Sequence, residues 1–188
     1  MIPRKEDYRL LTMHGVVQPR AGCEARIRND LYLIGELQLN YSNSNKVKVR
    51  LVGYELPLQE VIKRGTCIDL FGYDDNYNPY IIELKKGTST EKLPKVMRQI
   101  NDYEYQLIPL IGYIENEIRA KLHWDQFKLT SNIKKIILAP REYFNANPVE
   151  GMKDENILVC SFSRLRTTDA LIKQRNGKGF TEIMIYNK

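Results

Sequence analysis

Cysteine and histidine are scarce in this chain. Its 188 residues contain three cysteines and two histidines. The cysteines are widely spaced and none belongs to a CxxC pair, so neither a disulfide framework nor a zinc site is supported. Because proteins of reducing compartments rarely depend on disulfides, the sequence predicts a cytoplasmic protein.

Long apolar runs, repeats and linkers are also missing. No uninterrupted apolar stretch approaches the roughly 18 residues that a membrane helix requires, and the chain begins with the charged residues MIPRKEDYR. No internal repeat, low-complexity tract or long Gly/Ser/Pro linker divides it. We therefore expect a single domain, residues 1–188, that has no membrane partner and no export signal.

Basic side chains outnumber acidic ones. The 29 Lys and Arg residues against 23 Asp and Glu residues give a formal net charge of +6. A basic surface favours an anionic partner such as nucleic acid, although the same excess of charge also serves solubility alone. Charge by itself leaves both interpretations open.

The order of periodic segments predicts an α/β fold with a mixed central sheet flanked by helices. Apolar spacing predicts a helix over 23–35, closed by Gly35, and a long helix over about 91–122 that Pro109 must kink or split. Because this long helix connects a hairpin to a further strand, we expect the hairpin and that strand to lie in one sheet. The expected strands are 47–55, 66–73, 80–86, 134–140 and 157–162, followed by a C-terminal hairpin around Asn176-Gly177.

The strand at 47–55 alternates basic and apolar residues. Lys46, Lys48 and Arg50 are separated by valines, so period-2 geometry gives one basic face and one apolar face. The basic face is a candidate contact for nucleic acid, and an ordinary solvated sheet face is the alternative.

The segment IDLFGYDDNYNPYIIELKK, residues 68–86, places charge in a hairpin of apolar strands. Asn76 lies midway between Asp69 and Glu83, so a symmetric antiparallel hairpin sets these carboxylates opposite each other, with Cβ atoms roughly 4.5 to 5.5 Å apart. Lys85 follows Glu83 by two residues and shares its face. A shift of register by one residue would scatter the three charges over two faces.

The opposed carboxylates predict a bound cation. They repel each other on a partly buried sheet unless a positive charge lies between them. Mg²⁺ binds one or two carboxylates and keeps several waters, which leaves room for a phosphate oxygen and an attacking water. A lysine beside such an ion would hold or deprotonate that water, which is the chemistry of phosphodiester hydrolysis. The alternative is a structural ion pair of Lys85 with Asp69 or Glu83.

Three motifs carry a resemblance to a known nuclease family. IDL at 68–70 followed by IELK at 82–85 resembles the core of PD-(D/E)xK nucleases, and ELK is the sole Asp/Glu-x-Lys triplet of the chain. Gln99 and Tyr103 are similar to the QxxxY element of RecB-like members, and IILAPREYF resembles the strand after that helix in the archaeal NucS nuclease domain. The resemblance covers residues about 20–162 and implies a restriction-endonuclease-like core.

The resemblance implies roles for the charged residues of the hairpin. Asp69 and Glu83, together with the carbonyl of Leu84, would ligate Mg²⁺ or Mn²⁺. Lys85 would position or activate the water that attacks the phosphodiester.

It implies supporting roles for four further residues. Gln99 and Tyr103 would support the site, although a polar edge of the helix core explains their i, i+4 spacing as well. Glu24 and Glu55 are candidates for the metal region. Interaction with the helix dipole is the alternative for Glu24, and a surface charge at a strand end is the alternative for Glu55.

The C-terminal residues, about 165–188, are expected to extend this core. NucS-type proteins carry a separate DNA-binding domain, and this chain is too short to hold one beside the nuclease core. A basic hairpin there would instead contact phosphates, which give affinity without base recognition. Its candidate nucleic-acid-binding residues are Arg164, Arg166, Lys173, Arg175 and Lys178.

The sequence therefore predicts a metal-dependent endonuclease with DNA as the expected substrate. Two alternatives stay open: an inactive nucleic-acid-binding or interaction subunit with the same fold, and an RNA-directed nuclease that uses the same chemistry. Because cutting both strands with one site per chain needs two chains or two binding events, a homodimer is one expected form.

Overall fold

The computed structural model describes much of the chain between residues 24 and 185. The described residues are 24, 27–28, 31–32, 35–40, 46–58, 67–149, 154, 156–162 and 182–185, the last four as backbone alone. Within these ranges no helix is long and apolar enough to cross a membrane.

Strands and helices mix along the described chain, which makes the protein α/β. Residues 24, 27, 28, 31 and 32 have helical backbone and are called the N-terminal helical segment. The helices are α1 (Leu93–Leu107), α2 (Ile111–Leu122) and α3 (Arg141–Ala146), with the 3₁₀ turn Ile108–Leu110 between the first two. The strands are β1 (Glu36–Asn40), β2 (Lys46–Pro57), β3 (Cys67–Tyr73), β4 (Pro79–Leu84), β5 (Lys134–Pro140), β6 (Ile157–Phe162) and β7 (Glu182–Ile185).

The strands form one mixed, curled sheet. β1, β2, β3 and β4 pair in this order as antiparallel strands. β5 then pairs in parallel with β4, and β6 pairs in parallel with β5. β7 pairs antiparallel with β6 and parallel with β1, which brings the two ends of the sheet together. Because α1 and α2 connect β4 to its parallel neighbour β5, the prediction that the hairpin and strand 134–140 share one sheet is confirmed.

Two buried apolar clusters cover opposite faces of the sheet. Successive side chains of β4 separate them: Ile81 packs with the residues of α1 and α2, whereas Tyr80 and Ile82 pack with Leu31 of the N-terminal helical segment. Both faces of β4 are therefore buried from solvent. A charged residue in this strand is stable only if its partners lie within the protein. The buried residues that α1 contributes are Leu93, Val96, Ile100, Tyr103 and Leu107.

The helix boundaries expected from Gly35 and Pro109 are confirmed. Gly35 has a φ of +79° and its N–H donates to the carbonyl of Tyr32 at 3.1 Å, the left-handed helix end that glycine adopts without strain. Pro109 lies in the 3₁₀ turn that separates α1 from α2, because proline cannot donate the backbone hydrogen bond that a continuous helix needs.

Some elements were not visible in the sequence pattern. β1 has five residues and α3 has six, which is too short for a clear period. The pairing of β7 with β1 depends on contacts between distant parts of the chain. The expected turn at Asn176-Gly177 and the preceding strand of that hairpin lie outside the described residues.

A glycine in β3 is required by the close approach of β2. A Cβ added at Gly72 would lie 2.4 Å from the carbonyl oxygen of Arg50, and backbone cannot move aside as a flexible side chain can. We expect Gly72→Ala to lower the free energy of unfolding by about 2 kcal/mol through overpacking. The measurement is the midpoint and slope of urea denaturation.

Gly112 supplies the matched control. It lies in α2, and a Cβ there would meet nothing within 4 Å. Gly112→Ala is expected to raise stability by about 0.5 to 1 kcal/mol, because alanine favours the helix. Equal stability of the two variants would contradict the steric account of Gly72.

Candidate active site

The β3–β4 hairpin has the symmetric register that the sequence predicts. Leu70 pairs with Ile82, so the next residues outward, Asp69 and Glu83, lie opposite each other. The register prediction is confirmed, and it brings two carboxylates to adjacent strands in the interior of the sheet.

Asp74 fixes this register at the tip of the hairpin. Its Oδ1 accepts the backbone N–H groups of Asn76 at 2.9 Å and Asn78 at 3.0 Å. Its Oδ2 accepts the side-chain amide of Asn78 at 2.9 Å and the hydroxyl of Tyr80 at 3.3 Å. Because Asp74 is only 5% exposed, a shifted turn would leave buried polar groups without partners.

Glu83 is almost completely buried, with 3% of its surface exposed. Its Oε1 accepts hydrogen bonds from Lys85 Nζ at 2.7 Å and Gln99 Nε2 at 3.0 Å, but its Oε2 is buried and has no donor among the described residues. Burial raises the pKa of Glu83 to about 8, and the nearby charge of Asp69 adds to the increase. A buried carboxylate oxygen without a donor is energetically costly, and it marks a position where a cation would be stabilised.

Asp69 is held from two sides. Its Oδ2 accepts the backbone N–H of Leu84 at 2.9 Å, and its Oδ1 lies 3.3 Å from NH1 of Arg28. Burial raises the pKa of Asp69, while the hydrogen bond from Leu84 and the charge of Arg28 oppose the increase. The carboxylate is thus fixed in orientation beside Glu83.

Lys85 lies between two carboxylates. Its Nζ is 2.7 Å from Glu83 Oε1 and 2.8 Å from Glu91 Oε2, and the residue is 6% exposed. Burial alone would lower the pKa of Lys85, but the ion pairs with Glu83 and Glu91 outweigh it, so the pKa is raised. Its ammonium group is therefore protonated at neutral pH and acts as a donor.

Glu91 is a member of the site that the sequence pattern does not reveal. It lies in the connection before α1, and the hydroxyl of Tyr143 fixes its backbone by donating to its carbonyl at 2.8 Å. Hydrogen bonds from Lys85 and Lys95 lower the pKa of Glu91. No motif or periodicity marks this residue, because it reaches Lys85 only after α1 packs on the sheet.

Gln99 and Tyr103 reach the site from α1. The side-chain amide of Gln99 donates to Glu83 Oε1 at 3.0 Å and lies 2.5 Å from the hydroxyl of Tyr103. Burial and the charge of Glu83 raise the pKa of Tyr103. The i, i+4 spacing thus produces a hydrogen-bonded pair that contacts the carboxylate rather than a detached polar edge.

Glu24 and Glu55 both lie at the margin of the site. Glu24 Oε1 accepts the backbone N–H of Lys86 at 3.2 Å. Burial raises the pKa of Glu24, while the charge of Lys85 lowers it and that of Asp69 raises it further. Glu55 lies opposite Asp69 across β2 and β3, between the pairs Tyr54–Leu70 and Leu56–Ile68.

Arg28 connects Glu55 to Asp69, and the sequence pattern did not single it out. Its NH2 lies 2.9 Å from Glu55 Oε1, and NH1 contacts Asp69. The four-residue spacing from Glu24 is the signal that would have identified it, because residues i and i+4 share one face of a helix.

Two of the three basic side chains predicted to form one face of β2 make ion pairs within the protein. Lys48 lies 3.4 Å from Glu36, and Arg50 lies 2.6 Å from Asp75 with its guanidinium 5.8 Å from the ring of Tyr73. Lys46 is exposed at the start of the strand. The candidate phosphate contacts of the C-terminal extension, Arg164, Arg166, Lys173, Arg175 and Lys178, lie outside the described residues.

Neither a cluster of metal-ligating side chains among the described residues nor similarity to a known protein identifies the site. In the part of the chain that the structure describes, no three His, Cys, Asp or Glu side chains form a group that could hold a metal ion by themselves. Comparison with protein-family models, curated proteins and solved structures finds no match to this chain. The chemistry of Asp69, Glu83, Lys85 and their contacts is therefore what indicates a function.

Proposed function

We propose that this protein is a metal-dependent nuclease of the PD-(D/E)xK type that hydrolyses phosphodiester bonds, with DNA as its substrate. The observation that carries the proposal is the pair of opposed carboxylates with one buried oxygen, Glu83 Oε2, that has no donor among the described residues. Lys85 and Gln99 hold the other oxygen of Glu83, so the carboxylate is oriented for a ligand.

The arrangement of elements supports a restriction-endonuclease-like core. A helical segment precedes antiparallel strands, and α1 and α2 then lead to β5, which is parallel to β4. The acids of the proposed motif lie on the two central strands β3 and β4, and the proposed supporting residues lie on the helix that follows.

The donor set fits a magnesium or manganese ion. Asp69 and Glu83 would bind it together with the carbonyl of Leu84, which is a small enough set for an ion that keeps several waters. The ion would neutralise the charge of the scissile phosphate and lower the pKa of a bound water. Glu83 would exchange its proton for the ion, because ligands bind metals in the deprotonated form.

Lys85 would act as a donor rather than as a base. Its pKa is raised in the pair with Glu83 and Glu91, so it carries a proton at the pH at which the enzyme works. Such an ammonium group positions the attacking water or a phosphate oxygen and stabilises negative charge as it develops. Glu91 would orient Lys85 through the 2.8 Å ion pair.

Substrate would approach from the side of Asp69 and Glu91. Their side chains are 19% and 30% exposed, whereas that of Glu83 is 3% exposed and lies beneath them. The buried carboxylate would thus anchor the site, and a phosphate group would contact its partly exposed edge.

Nuclease assays with the purified full-length chain test this proposal. Supercoiled plasmid, single-stranded DNA and RNA are incubated with Mg²⁺, Mn²⁺ or EDTA. We expect plasmid cleavage that depends on the divalent ion and stops in EDTA. Cleavage that continues in EDTA would remove the mechanism, cleavage of RNA alone would change the substrate, and DNA binding without cleavage in any metal would favour an inactive binding subunit.

A further inference from the structure

A second cation, Arg28, lies inside the carboxylate group of the proposed site. Its guanidinium bridges Glu55 and Asp69 at 2.9 and 3.3 Å, and the residue is 8% exposed. A buried arginine is stable only if its charge is neutralised by hydrogen-bonded acids. The guanidinium of Arg28 is therefore a fixed positive charge between Glu55 on β2 and Asp69 on β3.

The ionisable side chains around Asp69 and Glu83 include more carboxylates than cations. With Glu91 and its partner Lys95 included, five carboxylates face three cations, so five negative charges minus three positive ones leave a deficit of two positive charges when all are ionised. That deficit equals the charge of one divalent ion. The carboxylates are Glu24, Glu55, Asp69, Glu83 and Glu91, and the cations are Arg28, Lys85 and Lys95.

The buried oxygen without a donor among the described residues belongs to Glu83, and the carboxylate of Glu55 contacts Arg28. The oxygen of Glu83 is Oε2, and the oxygen of Glu55 that contacts Arg28 is Oε1. A divalent ion would therefore bind between Asp69 and Glu83, while the guanidinium already lies between Asp69 and Glu55.

The backbone of Glu55, the residue that pairs with Arg28, has an unusual conformation. Its φ is +46°, a left-handed conformation that side-chain-bearing residues seldom adopt. The side chain of Glu55 is held by its ion pair with Arg28. Because the guanidinium belongs to the chain itself, the cation at this position does not depend on metal supply.

We propose that Arg28 occupies the position that a second divalent cation would take, so that the site works with a single metal ion. This inference rests on the proposed metal-dependent hydrolysis. Arg28 orients Asp69 for the one metal ion and prevents a second ion from binding between Asp69 and Glu55.

Counting bound Mn²⁺ tests the inference without any substrate. The signal of free Mn²⁺ in electron paramagnetic resonance is followed while each full-length variant is titrated. We expect one tight Mn²⁺ per chain for the wild type and a loss of affinity of more than about tenfold for Glu83→Gln, which lacks a charged ligand. Arg28→Met, which removes the cation but keeps a side chain of similar length, is expected to bind two.

Two control variants separate the position from the charge. Arg28→Lys keeps a cation between the two acids and is expected to bind one Mn²⁺. Arg141→Met removes a positive charge at an exposed position of α3 and is also expected to bind one. Circular dichroism shows whether each variant is folded.

The outcomes distinguish this inference from the proposed function. Two Mn²⁺ ions in the wild type, or one in folded Arg28→Met, would overturn the role of Arg28 and leave the nuclease proposal standing. If Arg28→Met does not fold, Arg28→Gln, which also removes the cation but keeps a polar side chain, is titrated in its place, and one Mn²⁺ in that folded variant would overturn the role of Arg28. No Mn²⁺ binding to the wild type at all, together with no cleavage, would remove the nuclease proposal itself.

Discussion

Glu83→Gln is expected to lower the rate of Mg²⁺-dependent DNA cleavage by about 1,000-fold or more. Glutamine keeps the size of the side chain and one oxygen, but it removes the negative charge that would bind the metal ion opposite Asp69. Loss of a single preorganised electrostatic contact at a reacting centre already lowers rates by about 100- to 1,000-fold, and a metal ligand contributes more than such a contact. The measurement is the initial rate of plasmid nicking at saturating substrate.

Unfolding of Glu83→Gln is not expected to be the cause of its lower cleavage rate. The pKa of Glu83 is raised to about 8 in the folded protein from an ordinary 4.5, so ionisation destabilises the fold as the pH rises through that range. Glutamine cannot ionise, and the variant is therefore expected to melt no lower than the metal-free wild type at pH 8. A large drop in melting temperature would contradict a raised pKa of the buried carboxylate, whose Oε2 has no donor among the described residues.

Asp102→Asn is the matched control for Glu83→Gln. Asp102 is exposed on α1, and the change removes the same single negative charge from the chain. Its cleavage rate is expected to stay within about twofold of the wild type, because surface charges are screened by salt. Equal losses in the two variants would mean that net charge, rather than a metal ligand, controls the reaction.

The affinity for Mn²⁺ is expected to fall about 50-fold between pH 8 and pH 6. Burial raises the pKa of Glu83 to about 8, so a proton competes with the metal ion for this carboxylate below that pH. Each pH unit well below the pKa weakens the apparent affinity about tenfold. Titration calorimetry at a series of pH values, without substrate, measures the effect.

The same titration of Glu83→Gln gives the control. Without the ionisable group, the remaining weak binding is expected to vary much less between pH 6 and pH 8. A wild-type affinity that is flat over this range would show that Glu83 does not exchange a proton for the ion. The cleavage rate at limiting metal is expected to follow the same curve as the affinity.

The hairpin at the centre of the site was predictable because its geometry is local. The midpoint at Asn76 and the two-residue period of strands set Asp69 against Glu83, and the observed register agrees. The split of the long helix at Pro109 follows from proline chemistry in the same way. Such features depend on residues close together in the chain, so their physical cause is already present in the sequence.

The partners of these acids depend on packing between distant segments. Arg28 comes from the N-terminal helical segment, and Glu91 comes from the connection that precedes α1. Neither residue has a spacing relative to Asp69 or Glu83 that a pattern would detect. Their contacts follow from the positions in which the helices pack on the sheet.

The sequence by itself determined the order of the main strands and helices, the register of the β3–β4 hairpin and the identity of the central Asp69, Glu83 and Lys85 group. Only the tertiary structure decided how that group is charged. Burial on both faces of β4 and ion pairs from the N-terminal helical segment and from the connection before α1 set the pKa values. The same packing left Glu83 Oε2 without a donor among the described residues and placed Arg28 beside Asp69. The reason is that desolvation and Coulomb interactions depend on distances through space, which a linear pattern of residues does not contain.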